Sequence, residues 1–335
     1  MPNSSETMMA VVIQHAGGPE VLRLTSVEKP SCGPSDVLVR VRASALNRAD
    51  ILQRKGKYPA PPGSPRDIPG MEFAGEVEGT GSAVQLWHAG DRVMGLVGGG
   101  AYAEYIAVHE RTVMRIPAKL DFKQAAAIPE AFITAHDALW VQAAVRPSDR
   151  VLIHAVGSGV GLAAIQLARA INAIPLGTAR TPDKLQRAKQ YSLAAGFLVS
   201  SAPTPEDAKT WSADGAFDVV LDLVGGAYTN ASLHALAHRG RIMLIGTMGG
   251  AKIELDSSIA LGKRAQLIGT VLRARPLEEK IAATRRFASE VIPLFANGTL
   301  RAVIDSSFDL RDARAAHERM ESNQSFGKIV LCIGN

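Results

Sequence analysis

The chain has little of what would place it in several large classes. Two cysteines in 335 residues, Cys32 and Cys332, are too few for a disulfide framework or a zinc finger, and neither sits in a C-x-x-C pair. Both are expected to be reduced. No apolar run approaches the roughly 18 residues of a membrane span, and Met1-Pro-Asn-Ser-Ser-Glu-Thr7 shows neither the basic nor the apolar region of a secretory signal. A cytoplasmic protein is expected. Basic residues form no run and aromatic residues make up 5% of the chain, so no dedicated nucleic-acid surface is expected. The net charge of +5 still suits attraction of a phosphorylated small molecule. What is present, 47% hydrophobic residues over this length, supports two domains with substantial cores.

The most telling stretch is Val151-Leu-Ile-His-Ala-Val-Gly-Ser-Gly-Val-Gly161, an apolar strand entering a glycine cluster, followed by the helix Leu162–Ala170. Strand, glycine turn and helix in that order suit a phosphate: bare backbone lets the anion approach, and unpaired N–H groups at the helix start receive it. Gly157, Ser158, Gly159, Val160 and Gly161 are therefore candidates to hold a dinucleotide. The G-x-G-x-x-G pattern is not met, because Val156 and Ser158 stand at its first two glycines. An ordinary βα turn is the alternative. A nucleophile elbow is disfavoured, since Ser158 lacks the glycine two residues before it.

Ala173-Ile-Pro-Leu-Gly-Thr-Ala179 reads as the second strand, after which an NAD enzyme would place an acid against the ribose 2′-hydroxyl. Here Thr178, Ala179, Arg180 and Thr181 follow one another, and the next helix is expected to begin with Thr181 as N-cap and Pro182 at its first position. Lys184 then falls in a first turn, where a cation opposes the helix dipole unless an anion lies nearby. A 2′-phosphate would serve, which favours NADPH. The alternative makes Arg180 and Lys184 solvated surface charges.

Further apolar strands at Gly196–Ser200, Phe217–Asp222, Gly240–Gly246 and Ala265–Leu272, with helices such as Pro182–Leu193 and Tyr228–His238 between them, indicate a doubly wound α/β domain with a six-stranded parallel sheet. Ligands of such sheets lie beyond the carboxyl ends of the strands, which adds Gly225, Gly246, Thr247 and Met248 to the cofactor candidates. The first 128 residues are β-rich. Strands are expected at Val37–Ala43, Glu72–Glu78, Asp91–Leu96 and Ala103–Val108. Asp121 with Gln124 marks a capped helix, Pro129 divides it from a helix at Ala131–Ala143, and after Arg275 a helix at Pro276–Asn297 and a last strand, Lys328–Cys332, return to the first domain.

These residues resemble the zinc-independent, NADPH-dependent quinone oxidoreductase branch of the medium-chain dehydrogenase/reductase superfamily. The motifs are Ser44-Ala-Leu-Asn-Arg-Ala-Asp50, Gly70-Met-Glu-Phe-Ala-Gly75, Ala125-Ala-Ala-Ile-Pro-Glu130, His154–Gln166 and Met320–Leu331. The resemblance implies a GroES-like catalytic domain (1–130 and 276–335) with a Rossmann domain (131–275) inserted. Zinc alcohol dehydrogenases would have cysteine where Asn47 stands, histidine where Met71 stands, and a lobe with four further cysteines. None is present. Hydride transfer from NADPH to a quinone or related conjugated carbonyl, without metal, is therefore the expected activity.

By resemblance, Asn47 and Tyr58 line the nicotinamide and substrate site and would donate hydrogen bonds to the acceptor oxygen, while Asp50 orders their loop. Bland alternatives are a turn residue for Asn47, a surface aromatic for Tyr58 and a helix-start residue for Asp50. The resemblance also places Thr134, Leu272, Arg273 and Asn323 around the cofactor; for Thr134 and Asn323 the alternatives are a helix-interior threonine and a loop residue. Val199 stands where the family often has a tyrosine beside the 2′-phosphate or adenine. A homodimer through the edge strand at Ala265–Leu272 is expected. A nucleotide-binding protein with an RNA-binding or structural role and little turnover is the alternative function.

Overall fold

The computed structural model describes residues 6–334. They form two compact units, one made of residues up to Ile133 together with those from Leu272 onward, the other of Thr134–Val271. The sequence placed these junctions at 130 and 275.

The first unit opens with an antiparallel pair, β1 (Thr7–Ile13) and β2 (Leu22–Glu28). Then come β3 (Asp36–Ala45), α1 (Arg48–Arg54), β4 (Glu72–Thr80), β5 (Arg92–Leu96), β6 (Tyr105–His109) and β7 (Val113–Arg115). In β3 the period of two is plain: Val37, Val39, Val41 and Ala43 are buried and Arg40 is exposed. Helices α2 (Phe122–Ala126) and α3 (Pro129–His136) follow. The Asp121 carboxylate accepts the Gln124 N–H at 2.8 Å and the Gln124 side chain accepts the Asp121 N–H at 3.1 Å, the expected reciprocal cap. The helix expected over Ala131–Ala143 is α3 followed by a π turn, Asp137–Gln142.

The second unit is an all-parallel sheet in the order β10-β9-β8-β11-β12-β13. Its strands are β8 (Arg150–Ile153), β9 (Ile174–Ala179), β10 (Ala195–Leu198), β11 (Phe217–Asp222), β12 (Leu236–Leu244) and β13 (Gln266–Gly269). Helices α4 (Gly159–Ala170), α5 (Pro182–Ala188), α6 (Pro205–Trp211), α7 (Ala227–Ala235) and α8 (Ser257–Lys263) connect them. Strand order reverses between β8 and β11, whose Leu152, Ile153, Val220 and Leu221 are fully buried. A ligand is expected beyond the carboxyl ends of these two strands.

Two helices end sooner than expected. The Lys263 ammonium donates to the carbonyls of Leu233, His234 and Leu236 at 3.1, 2.5 and 2.6 Å, closing α7 so that Leu236–His238 enter β12. Helix α5 gives way after Ala188 to a 3₁₀ turn ending at the left-handed Ser192.

The chain then returns to the first unit with α9 (Leu277–Glu290), α10 (Ile292–Ala296), β14 (Ile304–Asp309), α11 (Ala313–Glu321) and β15 (Lys328–Cys332). Pro293 sits in the first turn of α10 and splits the expected Pro276–Asn297 helix. Strand β15 pairs antiparallel with β3 and parallel with β14, completing a sheet ordered β14-β15-β3-β4-β5-β7 with β6 paired to β3. Among the described residues no helix is long and apolar enough to cross a membrane.

Candidate active site

After β8 the chain bends through Ala155, whose φ of +53° is unusual for a residue with a side chain. Ser158 then caps α4, its hydroxyl accepting the Gly161 N–H at 3.0 Å. That is why serine serves where the motif has glycine. The N–H groups of Gly159 and Val160 have no acceptor among the described residues, which leaves two donors at a helix N-terminus for an anion. Glycine is required at 161, where a Cβ would lie 2.6 Å from the Ala155 carbonyl. Val156 is accommodated by the neighbouring strand, because a Cβ at Gly177 would meet its Cγ1 at 2.2 Å. The bulk added to the turn is removed from β9.

Asp222, at the carboxyl end of β11, organises the next loop. Its carboxylate accepts the N–H groups of Val224 and Gly225 at 2.9 and 2.8 Å and the Thr229 hydroxyl at 2.5 Å. Gly225 bridges to Gly250, and a Cβ at Gly246 would strike the Leu223 carbonyl at 2.4 Å, so the two glycine loops run backbone to backbone. Thr247 and Met248 are exposed beside them.

At the end of β9, Arg180 is exposed and forms no ion pair with a described residue, while Lys184 lies in the first turn of α5. Thr181 holds the N-cap position without a side-chain capping bond, and Asp183 joins Lys184 in that turn and pairs with Arg187 at 3.5 Å. Thr178 is buried and its hydroxyl bonds the His154 Nδ1 at 2.9 Å. Its side chain is turned inward. The His154 Nε2 meets the Ser232 hydroxyl at 2.8 Å, and burial pushes this histidine below its ordinary value, so it sits neutral between two hydroxyls. Val199 is part of the core of the second unit.

The first unit contributes a polar centre around the start of α1. The backbone N–H of Asn47 donates to the Asp50 carboxylate at 2.8 Å, and Asp50 also accepts the Tyr102 hydroxyl and the Gly70 N–H, each at 3.2 Å. Asp50 is wholly buried, and burial pushes its carboxyl up to about 6 despite those donors and the nearby charges of Arg273 and Lys328. It is an internal brace.

The Asn47 side chain is equally committed. Its Nδ2 donates to Glu72 at 2.9 Å and to the Ala45 carbonyl at 3.3 Å, and its Oδ1 accepts the Lys328 ammonium at 2.6 Å. Both amide hydrogens are engaged, so Asn47 has none for an acceptor oxygen. That corrects the role expected of it.

Tyr58 differs: its ring lies under the Arg273 guanidinium at 5.0 Å, and its hydroxyl makes no hydrogen bond with a described residue. Arg273 is itself buried, donating to the carbonyls of Gly98 and Tyr58 at 2.8 and 3.3 Å and bonding the Gln53 side chain. It secures the loop that carries Tyr58. Leu272 is buried next to it, and Thr134 is buried on α3. Asn323 has a φ of +58°, a conformation asparagine tolerates, and its side chain accepts from Arg48 and donates to the Glu321 carbonyl, both at 3.0 Å.

Two family models match the chain, an alcohol dehydrogenase GroES-like domain over residues 33–118 and a zinc-binding dehydrogenase domain over residues 195–331. A human quinone oxidoreductase is 32% identical across 99% of the chain and 100% of its own length. The chain belongs to the medium-chain dehydrogenase/reductase superfamily. Its fold matches a solved NAD-dependent alcohol dehydrogenase (30% identity, TM-score 0.86, covering 98% of this chain and 100% of the other). It also matches a mycobacterial protein solved with NADPH (25% identity, TM-score 0.85, covering 97% and 99%).

An oxidoreductase with a nicotinamide cofactor follows from this membership, and the open amides of α4 suit the cofactor's phosphates. Zinc does not fit. A primary amide and a buried thioether, Asn47 and Met71, stand where the metal-dependent relatives were expected to have cysteine and histidine, and neither is a usual ligand for this ion. No cluster of three or more His, Cys, Asp or Glu side chains that could hold a metal occurs among the described residues.

Sequence reasoning passed over Glu72, Tyr102, His154, Asp222 and Lys328. The available signal was a charge embedded in an apolar strand, as at Met71-Glu72-Phe73 and Lys328-Ile329-Val330, because such a charge must find a partner once buried.

Proposed function

We propose that the protein is a cytoplasmic, zinc-independent reductase that uses NADPH to reduce a quinone or a related conjugated carbonyl. The observation that carries this is the pair of open amides at Gly159 and Val160, beyond the strand where the sheet order reverses. The coenzyme supplies a hydride from its nicotinamide ring. An acceptor that is already electrophilic needs no Lewis acid, and the protein's part is to position it and to place a donor at the oxygen that gains charge. Tyr58 is that donor, since its hydroxyl is uncommitted while Asn47 and Asp50 are bound internally. NADPH rather than NADH is supported by Arg180 and Thr181, which stand directly after β9 where an NAD enzyme would place its acid, and by the Arg180 guanidinium, which forms no ion pair with a described residue.

The test is loss of NADPH absorbance by the purified protein against a panel of ortho-quinones, para-quinones and enones, repeated with NADH and with the R180A/K184A variant. Turnover with NADPH, and a variant that loses NADPH far more than NADH, support the reading. No turnover on any acceptor, or equal loss for both coenzymes, overturns the corresponding part of it. A homodimer belongs to the same proposal: β13 is an edge strand, and its Leu267 and the following Val271 are 46% and 50% exposed.

A further inference from the structure

Three segments of the first unit meet at one buried ammonium. Lys328, the first residue of β15, donates to the Leu46 carbonyl at 2.7 Å, to Asn47 Oδ1 at 2.6 Å and to Glu72 at 2.6 Å. An ammonium has three hydrogens, and all three have acceptors. Glu72 is fully buried and also accepts from Asn47 Nδ2 and, at 2.8 Å, from the Glu130 N–H in the first turn of α3. The charges thus settle which way the Asn47 amide faces, since a rotated amide would set its NH₂ against the ammonium and its oxygen against the carboxylate.

We propose that Lys328, paired with Glu72, is a positioning residue that locks Asn47 as an acceptor-only group in the reductase site. This rests on the reductase reading above, with Asn47 kept in its site as an acceptor because one Oδ1 lone pair stays free of its internal partners. Asn47 then offers a bound molecule one lone pair of Oδ1 and no hydrogen. It selects a hydroxyl or N–H of coenzyme or substrate, and the reducible oxygen is left to Tyr58.

Removing one member of a buried ion pair strands the other, whereas removing both charges together is often tolerated. The variant to make is therefore K328M/E72Q, compared with N47A and with the triple variant K328M/E72Q/N47A, each followed by thermal unfolding, calorimetric coenzyme affinity and steady-state kinetics. The expected result for K328M/E72Q is a melting temperature near wild type with coenzyme affinity and kcat each reduced by roughly tenfold or more. N47A should match it, and the triple variant should be no worse, because Lys328 acts through Asn47. Wild-type affinity and kcat in a folded K328M/E72Q, or losses that multiply in the triple variant, overturn the proposal. If wild type reduces no acceptor, the reductase reading fails, while the affinity arm still decides the role of Lys328. Should K328M/E72Q not fold, wild type labelled with ¹⁵N-asparagine gives the answer. The Asn47 side-chain NH₂ should exchange slowly and keep its rate when quinone is added; a changed rate overturns the assignment.

Discussion

Tyr58 and Asp50 show how two residues of one motif region divide their work. Replacing Tyr58 by phenylalanine keeps the ring under Arg273 and removes a hydroxyl that makes no hydrogen bond with a described residue, so kcat is expected to fall by about a hundredfold with little change in coenzyme affinity. Stopped-flow and steady-state kinetics check this, and a variant as fast as wild type would assign the donor elsewhere. Asp50 has a carboxyl raised to about 6 by burial. Below about pH 3.8 the group is protonated whether the chain is folded or not, and its burial carries no ionic penalty. As pH climbs from there to about 6, the unfolded chain gains by ionising and the folded one does not, so stability falls by on the order of 3 kcal/mol and stays lower above that range. A ¹³C titration of the Asp50 carboxyl should show a midpoint near 6; a midpoint below 4 would contradict this.

At the scale of elements, the glycine turn works as a pair of strands fitted to each other. A side chain at Gly177 would collide with Val156 and, at 2.5 Å, with the Ile153 carbonyl. Gly177→Ala is therefore expected to destabilise by about 1–3 kcal/mol and to weaken coenzyme binding, and adding Val156→Ala should recover part of both losses in urea melts and calorimetry. Independent, purely additive losses would argue against the coupling. This fit explains what the sequence revealed and what it hid. Apolar strands such as Phe217–Asp222 and Lys328–Cys332 are readable because buried parallel or central strands are nearly continuous in hydrophobic residues. Strand β2 was not readable, since most of its residues are exposed, and β7 is three residues long. The end of α7 was hidden because Lys263, from another helix, sets it.

For the molecule as a whole, the two-unit division and the return of β15 to the first sheet were legible from texture and from motif resemblance together. The internal commitments of Asn47, Arg273 and Thr178 were not, because local sequence carries no sign of partners 24 to 281 residues away. Assembly offers a check at this scale: Leu267→Lys should convert a dimer to monomer in sedimentation velocity, and a wild-type monomer would leave the β13 edge without that role.

Everything proposed for this protein requires that the amides of Gly159 and Val160 receive the phosphates of a nicotinamide coenzyme. Calorimetric titration of the purified chain with NADPH tests this directly. Saturable heat with one site per chain is the predicted result, and no heat with either NADPH or NADH would contradict it.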